Sequence, residues 1–201
     1  MYAQLLIAVS LLAGAYQDIR ERAVSDLVWI PGIVGIAYML YTLYPDVEGP
    51  LVRMLIFGGI ALVGTLLGRL GQADPIAWTI LAADPSQLSP LFPLAAGAIL
   101  LLGHILVENH NGNLRGGLTI SLEKFLKEQC WIPRALVTDG ERVEVDQDVN
   151  LAREDVVKKA RPSSMVEVSY GVPHVAYFGI GYAIYLVYLL VFSPHTIAMI
   201  P

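Results

Sequence analysis

Six apolar runs, separated by charged residues, glycine and proline, make up most of the chain. A helix of about 17 to 25 apolar residues is long enough to cross roughly 30 Å of hydrocarbon. The fourth run is the shortest, because Asp84 and Pro85 follow about ten residues after it begins. We predict six transmembrane spans, over residues 2–16, 27–44, 51–70, 75–83, 91–107 and 174–192.

The positions of the basic residues indicate that the short fourth run also crosses the membrane. With six spans, all but one of the 13 Lys and Arg residues lie on one side, the exception being Arg53. If the fourth run turned back instead, the basic groups of residues 108–173 would face the side opposite the loop after span one. Basic loops are typical of the cytoplasmic side. The expected fold class is therefore an all-α polytopic membrane protein with six transmembrane helices and both termini outside.

Residues 108–173 form one long polar stretch between the fifth and sixth spans. Within this stretch, apolar residues recur with helical spacing in some segments and alternate with polar residues in others. We therefore expect a small cytoplasmic α+β lobe. Its predicted elements are a helix over 119–129, strands over 131–138 and 142–145 that flank the hairpin dipeptide Asp139-Gly140, a helix capped by Asn150 and ending near Ala160, and a strand over 165–170.

The composition agrees with membrane residence. The chain is 55% hydrophobic and 15% charged, whereas about a quarter of a typical soluble domain is charged. This excludes a secreted enzyme, a nucleic-acid-binding protein and an ordinary cytosolic protein, and makes the lipid bilayer an expected partner. The single cysteine, Cys130, excludes an intramolecular disulfide and a cysteine-based zinc site. We divide the chain into residues 1–107 with the first five spans, the lobe at 108–173, and the last span with its tail at 174–201.

Two aspartates lie at the predicted cytoplasmic ends of spans. Asp18 ends span one, and Asp74 comes directly before Pro75 at the start of span four. A carboxylate at a span boundary is costly, which makes it a candidate functional group. Two aspartates that face each other can share a proton, so that one acts as a carboxylate base and the other as an acid. Because proline favours the first turn of a helix, we expect Asp74 to cap span four and to be the more ionised of the two.

Such a pair can hydrolyse a peptide bond without a serine, a histidine or a metal ion. The ionised aspartate takes a proton from the attacking water, and the protonated one donates a hydrogen bond to the developing oxyanion. Three other interpretations remain open. The aspartates can be structural, Asp74 as a helix cap and Asp18 as a partner of Arg20 or Arg22; they can bind protons in a small proton-coupled transporter; or the protein can be a structural component of a secretion or pilus machine.

At these residues the chain resembles the archaeal preflagellin and prepilin peptidases of the type IV prepilin peptidase family, which are membrane aspartic proteases. That family pairs an aspartate after its first span with a second one in a Gly-x-hydrophobic-Asp motif. Gly71-Gln72-Ala73-Asp74 matches the motif, and Asp18 matches the first aspartate. The segment from Asp18 to Asp26 also resembles the stretch that precedes span two in the family. The match is less close at the last span, where His174 follows Gly171-Val172-Pro173 in place of the apolar residue that is usual there.

The resemblance implies an aspartic-type endopeptidase at the cytoplasmic face of the cell membrane. Its catalytic residues would be Asp18 and Asp74, with Gly71 and Ala73 supporting the backbone and substrate beside them. Its expected partners are archaellin or type IV pilin-like precursors, from which it would remove a short basic leader, and it would need neither a metal ion nor a cofactor. Bacterial relatives often carry a Cys-x-x-Cys pair and a methyltransferase activity. The lone Cys130 leads us to carry over proteolysis only.

Two smaller features have competing interpretations. Gly71 can let an extended substrate approach the site closely, or it can serve helix packing as other glycines of span three do. His104 and Glu108 lie four residues apart near the end of span five. Their spacing matches no metal site, and we expect an interhelical hydrogen bond or a residue at the membrane boundary instead.

Overall fold

A computed structural model of the chain describes residues 2–67, 70–84, 90–146 and 149–192. The predicted outer loop after span four lies largely, and the C-terminal tail wholly, outside these residues. The described part is mostly helical, with one small sheet. Its helices are α1 (Tyr2–Glu21), α2 (Ile30–Leu43), α3 (Glu48–Leu66), α4 (Asp74–Ala83), α5 (Leu91–His110), α6 (Leu122–Lys127), α7 (Val149–Lys159) and α8 (His174–Phe192), with a 3-10 turn at Asp26–Trp29.

The chain divides into two compact units. The first, which we call the helical unit, comprises residues 1–18, 24–101 and 173–201. The second, which we call the sheet unit, comprises residues 19–23 and 102–172. One boundary between them falls within α5.

Four helical segments among the described residues are long and apolar enough to cross a membrane. The helix α1, which has 20 residues, and α4, which has only ten, are not among the four. The expected membrane protein is thus supported at the coarse level of four apolar helices of membrane-spanning length. The four segments are Asp26–Leu43, Glu48–Leu66, Leu91–His110 and His174–Phe192.

The helix α8 is the most buried of these four segments. Apolar residues at helical spacing, Val175, Phe178, Tyr182, Tyr185 and Leu189, are buried along it. Glycines bring its backbone against two neighbours. A side chain at Gly179 would lie 2.7 Å from the Leu11 carbonyl oxygen of α1, and one at Gly97 of α5 would lie 2.7 Å from the Tyr177 carbonyl oxygen of α8. Close approaches of this kind through small residues are typical of helices that pack in membranes.

The sheet unit contains four antiparallel strands in the order β1-β4-β2-β3. Its core includes Phe125, Trp131, Val156 and Val166, all nearly or fully buried. The small α+β lobe expected between the last two long helices is therefore present as an antiparallel sheet with short helices. The strands are β1 (Leu118–Ser121), β2 (Trp131–Thr138), β3 (Glu141–Glu144) and β4 (Met165–Tyr170).

Several details of the sheet unit differ from the prediction. The segment expected to be a helix over 119–129 begins as strand β1, and α6 occupies only its middle. Asn150 lies inside α7, which begins at Val149, and so does not cap it. The predicted hairpin dipeptide is confirmed, because Asp139 and Gly140 both adopt positive φ angles, of 54° and 84°, as a tight two-residue turn requires.

Candidate active site

Asp18 lies in the last turn of α1 on the helix face that packs into the bundle. Ile7, Leu11 and Ala15 precede it on this face at spacings of four, four and three residues, and all are buried. Asp18 itself is only 8% exposed. One of its carboxylate oxygens, Oδ2, accepts a hydrogen bond of 3.1 Å from the backbone N–H of Ala176 in the first turn of α8. The close contact between α1 and α8 at Gly179 thus continues to the level of this carboxylate.

Asp74 is the first residue of α4 and is 2% exposed. Its Oδ2 accepts a hydrogen bond of 2.6 Å from the backbone N–H of Gly71, and its own N–H bonds back to the Gly71 carbonyl oxygen. The residue before the helix is Ala73, so the expectation that Asp74 is the cap is wrong by one position. Asp74 nevertheless lies in the first turn, where the positive end of the helix favours a carboxylate.

Each of the two aspartates contacts a residue in the first turn of α8. His174 begins this helix, and its Nδ1 lies 3.6 Å from Oδ2 of Asp74. Ala176, two residues later, holds Asp18. Asp18 is also close enough for its charge to act on the His174 imidazole. Two carboxylates that are 56 positions apart in the sequence (74 − 18 = 56) therefore meet the same helix start, and all three side chains belong to the helical unit.

Gly71 is exposed, and among the described residues an added Cβ would meet one atom within 4 Å, Oδ2 of Asp74 at 3.5 Å. This differs from Gly58 of α3, whose added Cβ would overlap the Thr79 hydroxyl of α4. Of the two interpretations of Gly71, helix packing is therefore the less suitable, since the space beside its Cα is open. Ala73 is partly buried and packs against the core of the helical unit.

The segment after Asp18 is fixed by capping contacts within the helical unit. The Gln17 side-chain oxygen accepts a hydrogen bond of 2.8 Å from the backbone N–H of Ser25. The Ser25 hydroxyl in turn accepts the N–H of Leu27 and so caps the 3-10 turn. That turn ends at Trp29, which is buried against Gly14. The turn and its caps thus tie the chain leaving α1 to the start of α2.

A second buried carboxylate site was not predicted as a functional group. Asp84, directly after α4, is 0% exposed. Its Oδ2 accepts hydrogen bonds from the Tyr182 hydroxyl at 2.9 Å and from the Gln4 amide at 3.4 Å. Its backbone carbonyl accepts one from the Arg53 guanidinium at 2.9 Å. The sequence shows Asp84 only as the residue that ends a short apolar run, and its partners come from three distant helices.

Other candidate groups have structural partners in the sheet unit. The Nε2 atom of His104 lies 3.0 Å from the Tyr170 hydroxyl, a hydrogen bond between α5 and β4. The Glu108 carboxylate accepts a bond of 2.6 Å from the Asn113 amide. Burial, followed by the negative charge of Glu128, raises the pKa of the Cys130 thiol. Within the described ranges, no group of three or more His, Cys, Asp or Glu side chains is placed to hold a metal ion.

Comparison of the chain with protein-family models, curated proteins and solved structures finds no match. The resemblance to the prepilin peptidases therefore depends on sequence features alone: the motif residues around Asp18 and Asp74, the entry to the last span and the predicted arrangement of spans and lobe.

Proposed function

We propose that the protein is a membrane aspartic endopeptidase in which Asp18 and Asp74 form the catalytic pair. The observation that carries the proposal is that both carboxylates are buried and lie against the first turn of α8. Burying a carboxylate is costly unless other groups compensate it. Two such groups at one place, from two different helices, are more than the packing of a helical bundle requires.

The reaction is the attack of water on a peptide carbonyl. The ionised aspartate removes a proton from the water as its oxygen bonds to the carbonyl carbon. The protonated aspartate donates to the oxyanion, and a proton then passes to the leaving nitrogen as the C–N bond breaks. After both products have left, the pair of aspartates again holds the single proton with which it began. The cycle therefore needs no reactant other than water and the peptide.

The roles of the two aspartates follow from their surroundings. Each accepts a backbone N–H near the start of a helix, Asp18 from Ala176 and Asp74 from Gly71. Asp74 has the shorter bond and the closer imidazole. We assign Asp74 as the base that activates water and Asp18 as the acid, while the ionisation steps belong to the pair as a whole.

The proposed topology has six crossings, with both termini outside and the site at the cytoplasmic face. The two crossings beyond the four apolar helices would be α1 and α4. The helix α1, at 20 residues, is about 30 Å long. The helix α4 is about half that length. Directly after it, the side chain and the carbonyl oxygen of Asp84 accept hydrogen bonds from Gln4, Arg53 and Tyr182. Such contacts stabilise a helix end inside hydrocarbon, where unpaired backbone groups are costly.

The proposed substrates are archaellin or type IV pilin-like precursors with a short basic leader before a hydrophobic helix. In such a precursor the scissile bond lies near the inner membrane surface, at the level proposed for Asp18 and Asp74. A peptide must be extended for its carbonyl to be attacked, and the open space beside Gly71 suits an extended strand. This accounts for the exposed glycine next to a deeply buried carboxylate.

The test is cleavage of a precursor that bears a basic leader, using purified protein in detergent. The variants Asp18→Asn and Asp74→Asn keep the size of each side chain but remove the shared proton chemistry, so we expect each to lose at least about 10³-fold in rate. The matched control is Asp26→Asn, since Asp26 is exposed and near Asp18 in sequence; its rate should equal that of the wild type. Cleavage that survives in either of the first two variants would refute the proposed pair.

One observation favours a second candidate, a proton-coupled transporter. Asp84 is fully buried at the end of the short helix α4, ten residues and therefore about 15 Å along the helix from Asp74. Acids near the middle of the membrane on interrupted helices are typical of transporters. The cleavage test separates the two functions, because a transporter would leave the precursor intact in the wild type as well.

A further inference from the structure

His174 is a titratable group that the proposed reaction does not require. Its side chain is 22% exposed, and that of Asp74 is 3% exposed. The Nδ1 atom of His174 lies 3.6 Å from the Oδ2 atom of Asp74. This separation is longer than a hydrogen bond but within the range of a close charge pair. The imidazole is attached to the same helix turn whose Ala176 N–H binds Asp18. Any change in the charge of His174 is therefore felt by both carboxylates.

The charged groups around His174 come from two of the elements packed beside it. Asp18 reaches it from α1, and Asp74 reaches it from α4. The part of α5 that packs against α8, residues 91–101, carries no ionisable side chain. Asp18 and Asp74 are thus two acids that face His174, so that an imidazolium there acts on both members of the proposed pair.

The effect of the imidazolium has a definite sign. A histidine is neutral at high pH and gains its positive charge on acidification. A positive charge near Asp74 favours the ionised carboxylate, which is the form that activates water. In acid, where Asp74 would otherwise become protonated and the reaction would stop, the charged imidazole keeps the base ionised down to a lower pH.

We propose that His174 is a positioning residue that holds Asp74 as the ionised member of the pair and thereby extends activity to lower pH. The inference rests on the proposed function, since it assigns a role to a neighbour of the same two aspartates. His174 acts through Asp74, and the bonds of the substrate are broken by the aspartates alone.

The test is the pH profile of precursor cleavage, measured between pH 4 and 9 on purified protein. The variants His174→Gln and His174→Phe differ in shape and polarity, but both lack the charge. In each, we expect the acidic midpoint of the profile to move up by about one pH unit, a tenfold change in proton affinity, with an unchanged rate at pH 8. The variant His174→Lys, charged throughout, should return the midpoint to that of the wild type or below it.

The control is His110→Gln, because His110 is exposed at the end of α5 and its loss should leave the profile unchanged. If the Gln and Phe variants keep the wild-type midpoint, or lose rate equally at every pH, His174 has only a structural role and the inference is wrong. The proposed function fails separately, by cleavage that persists in Asp18→Asn or Asp74→Asn. A wild-type protein that cleaves nothing overturns both.

Discussion

Asp18 and Asp74 each continue a helix face that is otherwise apolar. In α1 the face contains Ile7, Leu11 and Ala15, and in α4 Asp74 is followed by buried Ala77. The helical period therefore directs both carboxylates into the bundle, where each accepts a backbone N–H. The scarcity of charge in the chain made these two residues visible in the sequence. His174 is less visible in the sequence, because it lies at the start of a long apolar helix and comes close to the two aspartates only when the chain folds.

Gly71 provides a test of how the substrate approaches. An alanine Cβ at this position would lie 3.5 Å from Oδ2 of Asp74, an ordinary contact, and would meet no other atom of the described residues within 4 Å. We expect Gly71→Ala to leave the thermal stability unchanged but to lower kcat/KM for a precursor by at least about tenfold, because a methyl group would displace an extended strand from the reacting geometry. The matched control is Gly59→Ala, where the Cβ meets nothing within 4 Å. Equal kcat/KM values in the two variants would show that substrate does not pass Gly71.

Cys130 gives a second prediction at this scale, in the sheet unit. Burial and the charge of Glu128 raise the pKa of its thiol, so less of the reactive thiolate is present at neutral pH. Iodoacetamide should therefore modify the folded protein at pH 7.5 more slowly than it modifies free cysteine, and the rate should rise steadily toward pH 9.5. Mass spectrometry of the labelled chain measures this, with Cys130→Ser as the unlabelled control. A rate at pH 7.5 equal to that of free cysteine would contradict the predicted raised pKa.

The pairing of α3 with α4 positions Asp74 at the scale of whole elements. The helix α4 has only ten residues, and it packs along α3, where Gly58 faces Thr79. The Thr79 hydroxyl in turn donates to the Pro75 carbonyl oxygen at 2.7 Å, one turn earlier. At its far end, the Arg53 guanidinium of α3 binds the Asp84 carbonyl oxygen. The short helix thus contacts α3 in its middle, at Thr79, and just beyond its far end, at Asp84.

Two adjacent glycines of α3 test this pairing. In Gly58→Ala the new methyl group would overlap the Thr79 hydroxyl, whereas in Gly59→Ala it would meet nothing within 4 Å. Overpacking of this kind typically costs about 1–3 kcal/mol. We expect Gly58→Ala to lower the thermal midpoint in detergent and Gly59→Ala to leave it unchanged or raise it slightly, because alanine favours a helix more than glycine does. The same midpoint in both variants would contradict the close contact between α3 and α4.

At the scale of the whole molecule, the spacing of apolar residues predicts most of the helices, strands and turns that depend on local sequence. The two strands β2 and β4 and the turn at Asp139-Gly140 agree with their alternating pattern and turn chemistry. Strand β1 was missed because it is stabilised by pairing with β4, Leu118 opposite Val168, far along the chain. The predicted cap at Asn150 is wrong because a sequence specifies the ends of a helix less sharply than its interior.

The candidate site shows the same limit. Its two carboxylates follow from their helix faces and from the resemblance to a peptidase family. Their meeting with His174, and the buried set around Asp84, depend on the packing of distant helices through Gly97 and Gly179. No single-sequence pattern reports such contacts. The six-span topology also remains a prediction, since it depends on charge placement and on a helix, α4, that is only ten residues long.

Single-turnover cleavage of a leader-bearing precursor shows whether Asp18 and Asp74 act as one unit when four proteins are compared: the wild type, Asp18→Asn, Asp74→Asn and the double variant. Residues that act as one unit have non-additive effects. The account therefore predicts that each single variant loses nearly all activity and that the double variant is no slower than either. Independent, multiplicative losses, or a single variant that retains most of its rate, would contradict a catalytic pair formed by these two aspartates.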